Sequence, residues 1–174
     1  GTFLGSVYKR HKNNKEKKIT FEGYDTVLEM IKFSKIKKKN CKIKFSVKDA
    51  LKVNYKNSCI VSSFYTLQFI STSNRQNLVN KIFNGLNWGG AFFLIEKVRG
   101  PDARFQDYLN QVYIDYKKKR GYSDKEIISK SLSLKGVLEP FSTKGNLDML
   151  KRAGFKDVMT IFKYGSFEGY LCIK

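Results

Sequence analysis

A short run of strand-like residues, Cys59-Ile60-Val61-Ser62-Ser63, leads straight into a polar-aromatic tip, Phe64-Tyr65-Thr66-Leu67-Gln68-Phe69. The pattern predicts a strand over 59–63 and a helix over about 72–86. The turn Asn87-Trp88-Gly89-Gly90 then feeds an apolar run that predicts a second strand over 91–96, ending at Glu96. A helix between two strands makes a crossover, so the strands are expected to be parallel. That unit restricts the chain to a layered α/β architecture. In such sheets, ligands sit outside the carboxyl ends of the strands. Segment 64–69 is therefore where a small molecule is expected.

The 174 residues suit one domain, and a hydrophobic content of 41% is sufficient for a core. No apolar run approaches the length of a membrane span, and nothing resembles a signal peptide. Cys41, Cys59 and Cys172 lie in apolar, strand-like contexts without metal-ligand spacing. They are expected to be reduced core thiols of a cytoplasmic protein. His11 sits beside lysines without a ligand partner, so no metal site is expected.

The net charge of +19 points towards phosphate contact. Lysine outnumbers arginine 28 to 6, however, a bias that an AT-rich genome imposes on any surface. The clusters at 15–18 and 35–39 read as solvated loops or helix ends. The cluster Lys117-Lys118-Lys119-Arg120 lies nearer the expected pocket and is the better candidate for touching phosphate.

The chain opens on Gly1, with a helix expected over 7–11. A glycine before a helix start exposes backbone N–H groups to polar or anionic ligand groups. A strand over 19–24 ends in Asp25, and Thr26 through Met30 begin a helix. A carboxylate at that place can accept two ribose O–H bonds, or it can cap the helix. A strand over 42–47 ends in Lys48-Asp49-Ala50. After Pro101, the residues Phe105, Tyr108, Leu109, Val112 and Tyr113 recur at helical spacing over 101–116, a stripe expected to be core. Ser123 and Glu126 predict a capping box for the next helix. A last helix stops at Gly154, and strands over 157–163 and 167–173 are joined by a short Gly-containing link, so they pair antiparallel.

The string Tyr65-Thr66-Leu67-Gln68-Phe69, with Leu86-Asn87-Trp88-Gly89-Gly90 and Glu96-Lys97, resembles the fourth-to-fifth-strand unit of class I S-adenosylmethionine-dependent methyltransferases. Within that superfamily, these residues together with Gly121-Tyr122-Ser123 and Arg152-Ala153-Gly154-Phe155 are most similar to the carboxy-S-adenosylmethionine synthase family, which supports wobble-uridine modification of tRNA. The resemblance implies a Rossmann-like methyltransferase fold: a single α/β domain with a mostly parallel sheet, an antiparallel last strand and a helical cover over about 100–138. It aligns Gly1 with the last glycine of a Gly-rich turn, and so implies that a first strand lies upstream of this sequence.

S-adenosyl-L-methionine is the implied cofactor. Its implied contacts are Gly1, Asp25, Thr26, Met30, Asp49, Ala50, Phe64 and Tyr65, with Asp49 at the position that meets the adenine amine. Tyr122, Lys130 and Ser131 fall at the substrate pocket. Two positions depart from the family pattern. Ser131 stands where the family reads its product's carboxylate with arginine, and Phe64 stands where it carries an amide. The expected activity is therefore S-adenosylmethionine-dependent methyl transfer to an unidentified acceptor. The alternatives are carboxy-S-adenosylmethionine synthesis with prephenate as carboxyl donor, and a non-catalytic module binding RNA or a partner. No catalytic residue is singled out. The resemblance admits a small-molecule or tRNA-related substrate, nucleic-acid contact and a homodimer, with no membrane association.

Overall fold

The computed structural model describes residues 2–12 and 19–174. Gly1, a candidate cofactor contact, lies outside the described residues. The chain divides into two compact units, 1–54 and 55–174.

In the first unit, helix α1 (Thr2–His11) precedes strand β1 (Phe21–Asp25), helix α2 (Leu28–Lys37) and strand β2 (Ile43–Val47). The expected helix over 7–11 thus begins earlier, at Thr2. Strands β1 and β2 pair in parallel, Phe21 opposite Ile43 and Asp25 opposite Val47, as a strand-helix-strand crossover requires. Ile31 of α2, Phe45 of β2 and Val53 are the buried large apolar residues among the described residues here.

The second unit carries strand β3 (Ser58–Phe64), helix α3 (Thr72–Gly85), strand β4 (Leu86–Lys97), helices α4 (Ala103–Lys119), α5 (Asp124–Ser133) and α6 (Thr143–Ala153), and strands β5 (Asp157–Tyr164) and β6 (Phe167–Ile173). The sheet order is β3-β4-β6-β5. Strand β4 runs parallel to β3, while β6 is antiparallel to both β4 and β5, so the expected antiparallel last strand is present. The residues expected to turn, Asn87–Gly90, instead lie within β4, which starts at Leu86, and form a bulge. Between Ser58 and Ile60 the partner shifts from Leu86 to Ala91, and Gly89 adopts φ 72° within the bulge.

Alternation along β4 puts Phe92, Leu94 and Glu96 on the buried side, and Val98 just beyond the strand is buried too. Tyr170 and Cys172 of β6 are buried with them, as are Leu78, Val79 and Ile82 of α3 and Met149 and Leu150 of α6. Gly154 ends α6 at φ 116°, and a side chain there would meet the Phe83 ring at 2.7 Å. Both facts require glycine. The capping box is formed as expected: Glu126 N–H donates to Ser123 Oγ, and Ser123 N–H donates to Glu126 Oε2.

Two sequence expectations fail. No residue of α4 is buried, and Phe105, Tyr108 and Val112 are each more than half exposed, so the aromatic stripe is not core. Periodicity shows that a helix has an apolar face, but it does not supply the layer that covers the face. Cys59 is exposed and Cys41 half-buried, which leaves Cys172 as the one core thiol among the three. Cys59 falls at the register shift between Ser58 and Ile60, where strand-like context says nothing about burial.

Candidate functional site

The 64–69 tip is built from a buried acid. Strand β3 ends at Phe64, and Tyr65 then turns into the left-handed region at φ 55°, a conformation that non-glycine residues rarely adopt. Tyr65 N–H donates to Ile95 O at 2.7 Å. The next three N–H groups converge on Glu96: Thr66 and Leu67 on Oε1, both at 3.0 Å, and Gln68 on Oε2 at 3.1 Å. These donors would otherwise be orphans in a tight turn. Glu96 is 2% exposed, and burial pushes its carboxyl up to about 7. The three N–H bonds and the Arg75 charge pull the other way.

Arg75, from the first turn of α3, closes the far side of the tip. Its guanidinium donates to Ile70 O, Glu139 O and Gln68 O, and lies 4.5 Å from the Phe141 ring centroid. The Gln68 side-chain oxygen accepts from Lys97 N–H at 3.0 Å. The backbone of 65–70 is therefore fixed from both sides, and the exposed Tyr65 ring is left edge-on to Phe167 at 5.8 Å.

Phe167 in turn meets Tyr113 of α4 at 5.6 Å, and Tyr113 stacks with Tyr116 at 6.5 Å. Burial, and then the neighbouring phenols Tyr122, Tyr116 and Tyr65, push the Tyr113 hydroxyl above the usual tyrosine range. Tyr65 and Tyr122, two of the sequence candidates, thus share one aromatic neighbourhood. Lys130 and Ser131 lie exposed along α5. Their backbone carbonyls accept from Ser133 Oγ and Leu134 N–H.

In the 1–54 unit, Asp25 closes β1 and its Oδ1 accepts from Val27 N–H at 2.9 Å. That bond fixes the turn into α2 and occupies one carboxylate oxygen. A carboxylate has a second oxygen, so this bond alone does not decide between the cap and the ligand role. Thr26 and Met30 follow on the exposed side. Asp49 Oδ1 accepts from Leu51 N–H at 2.9 Å and caps the single turn that contains Ala50.

Sequence reasoning missed Glu96 and Arg75 as the scaffold of the tip. The signal for Glu96 was available: it falls in register with Phe92 and Leu94, and an acid on a buried strand face demands partners. The 117–120 cluster separates into different roles. Lys118 pairs with Asp124 at 2.9 Å, Arg120 lies over Tyr116, and Lys117 turns towards Tyr113. Among the described residues, no group of three potential ligands could hold a metal ion, and no helix is long and apolar enough to cross a membrane.

No family model matches the chain. Similarity to individual proteins is extensive. All 174 residues align at 34% identity with a carboxy-S-adenosyl-L-methionine synthase of Staphylococcus epidermidis, covering 76% of that protein. The chain belongs to the carboxy-S-adenosyl-L-methionine synthase family. The synthase of Campylobacter curvus is 39% identical over 158 residues, which are 90% of this chain and 68% of the relative. Solved structures place the fold among methyltransferases. A family 2 O-methyltransferase from Planctomyces limnophilus superposes with TM-score 0.68 at 15% identity, covering the whole chain and 47% of the other. Human N-acetylserotonin methyltransferase, in complex with S-adenosylmethionine, does so with TM-score 0.57 at 15% identity, over 89% and 40%. The chain spans about half the length of the solved chains it matches. The sequence relatives support the expected S-adenosylmethionine-dependent transferase and its cofactor, and the solved structures support the fold.

Proposed function

We propose that the protein is a carboxy-S-adenosyl-L-methionine synthase, adding a carboxyl group to the sulfonium methyl of S-adenosylmethionine. The observation that carries this reading is the clamped tip at the end of β3, found in a chain that aligns end to end with synthases. Fixing that backbone before ligand arrives lowers the ordering cost of binding. Asp25 is assigned to the ribose, and Tyr65 to the wall facing the reacting group. When bound, S-adenosylmethionine supplies the sulfonium charge that acidifies its methyl, so that a C–H bond breaks as the C–C bond to the carboxyl carbon released by prephenate forms, and the proton leaves as water with the hydroxide that prephenate expels. The residues bind, orient and exclude water, which suffices where positioning dominates. The helical segment 100–138 is assigned as the cover of the substrate side.

The proposal is tested by incubating the protein with S-adenosylmethionine and prephenate and analysing the nucleoside products by mass spectrometry. The carboxylated product supports it. Unmodified S-adenosylmethionine, bound with normal affinity, refutes it. A second reading, ordinary methyl transfer, is favoured by Ser131, which offers no guanidinium to a carboxylated product. Methyl loss to an added tRNA, without carboxylation, would support that reading.

A further inference from the structure

Two ammonium groups approach one tyrosine ring with no carboxylate between them. Lys97 closes β4 and its Nζ lies 5.4 Å from the Tyr113 ring centroid. Lys117, one helical turn beyond Tyr113 on α4, places its Nζ 4.3 Å from the same centroid. Neither lysine makes an ion pair among the described residues, although Lys44, Lys118, Lys144 and Lys163 all do. Both are half-buried, in contrast to the exposed Lys118, Lys119 and Arg120 beside them. Burial, and then the charge of Lys117, hold Lys97 below the usual lysine range. Two like charges drawn out of water towards each other cost free energy unless a counter-charge arrives. The cation–π contact offsets only part of that cost.

The pair stands at the carboxyl end of β4, beside the tip. Phe167 bridges the two, touching Tyr65 on one side and Tyr113 on the other. The hydroxyls of Tyr116 and Tyr122 are close enough to act on Tyr113 electrostatically. The surroundings therefore combine positive charge, hydroxyl donors and aromatic walls. A sugar-phosphate backbone would more readily meet the exposed lysines, whereas a small acid with an apolar body suits half-buried ammonium groups walled by rings.

We propose that Lys97 and Lys117 form the anion-binding pair that seats the carboxylate of the second substrate. This rests on the transferase reading of the same site. The probe is benzylmalonate, with its neutral diethyl ester as control, titrated calorimetrically into the intact protein. The wild type is expected to bind the dianion and not the ester. Lys97→Met and Lys117→Met should each weaken dianion binding tenfold or more, about 1.4 kcal/mol, with S-adenosylmethionine affinity unchanged. Lys97→Arg, which keeps the charge, should retain binding and controls for folding. Equal binding by wild type and the two methionine variants overturns the proposal, as does a wild type that ignores benzylmalonate. It is also overturned if the variants lose affinity for a short single-stranded RNA and not for the dianion. Lysine-dependent dianion binding by a protein that does not bind S-adenosylmethionine would instead leave the pair standing and refute the transferase reading.

Discussion

Glu96→Gln isolates what the buried acid does. In the wild type, Oε1 accepts from Thr66 and Leu67, and Oε2 accepts from Gln68. The amide keeps the first oxygen, but sets an NH2 donor against the Gln68 N–H. One buried donor then lacks an acceptor, a loss of about 1–3 kcal/mol. A protonated carboxyl avoids this conflict, because its hydroxyl oxygen still accepts. The pH dependence follows from the direction of the shift. Burial raises the folded carboxyl from 4.5 to about 7. Between those values the native state holds a proton that the unfolded chain has released, so wild-type stability falls as pH rises through this window. The fall is on the order of 3 kcal/mol, at about 1.4 kcal/mol per pH unit. The glutamine has no such dependence. Glu96→Gln should therefore cost about 1–3 kcal/mol at pH 5, with the gap closing or reversing by pH 8. Urea unfolding of both proteins at the two pH values measures it. A gap that widens towards alkaline pH would refute the reasoning, because it would mean the three N–H donors outweigh desolvation and hold the carboxylate ionised.

The remaining perturbations act on individual residues. Arg75→Met strips the hydrogen bonds from three carbonyls and leaves Glu96 without its nearest cation; a loss of about 3–5 kcal/mol is expected in thermal or urea unfolding. An unchanged midpoint would show that solvent replaces the guanidinium without penalty. Asp25→Ala should weaken S-adenosylmethionine binding by about 1.5–3 kcal/mol in a calorimetric titration. Unchanged affinity with an intact fold would reduce Asp25 to the residue that holds Val27 N–H. Because Ser131 provides no charge for the product's carboxylate, competition binding should show no tenfold preference for carboxy-S-adenosylmethionine over S-adenosylmethionine. Such a preference would direct attention to Lys130, the neighbouring charge on α5.

Much of the fold was legible because its signals are local. The capping box at Ser123 and the glycine stop at Gly154 each depend on a few adjacent residues, and both are present. The site was legible only in outline. Segment 64–69 marked itself as a strand tip, but what holds the tip comes from Glu96, about thirty residues away, and from Arg75 across the first turn of α3. Alternation along β4 contains part of that information, since the step that buries Glu96 beside Leu94 also turns Lys97 to the opposite face. Had the strand been read residue by residue, an acid pointing inward and a lysine pointing towards the aromatic side would both have required partners. The acid's partners were already in the sequence, in the N–H groups of the tip. The lysine's were not: α4 brings it a tyrosine ring and a second lysine, and the ligand carboxylate we propose would supply the counter-charge.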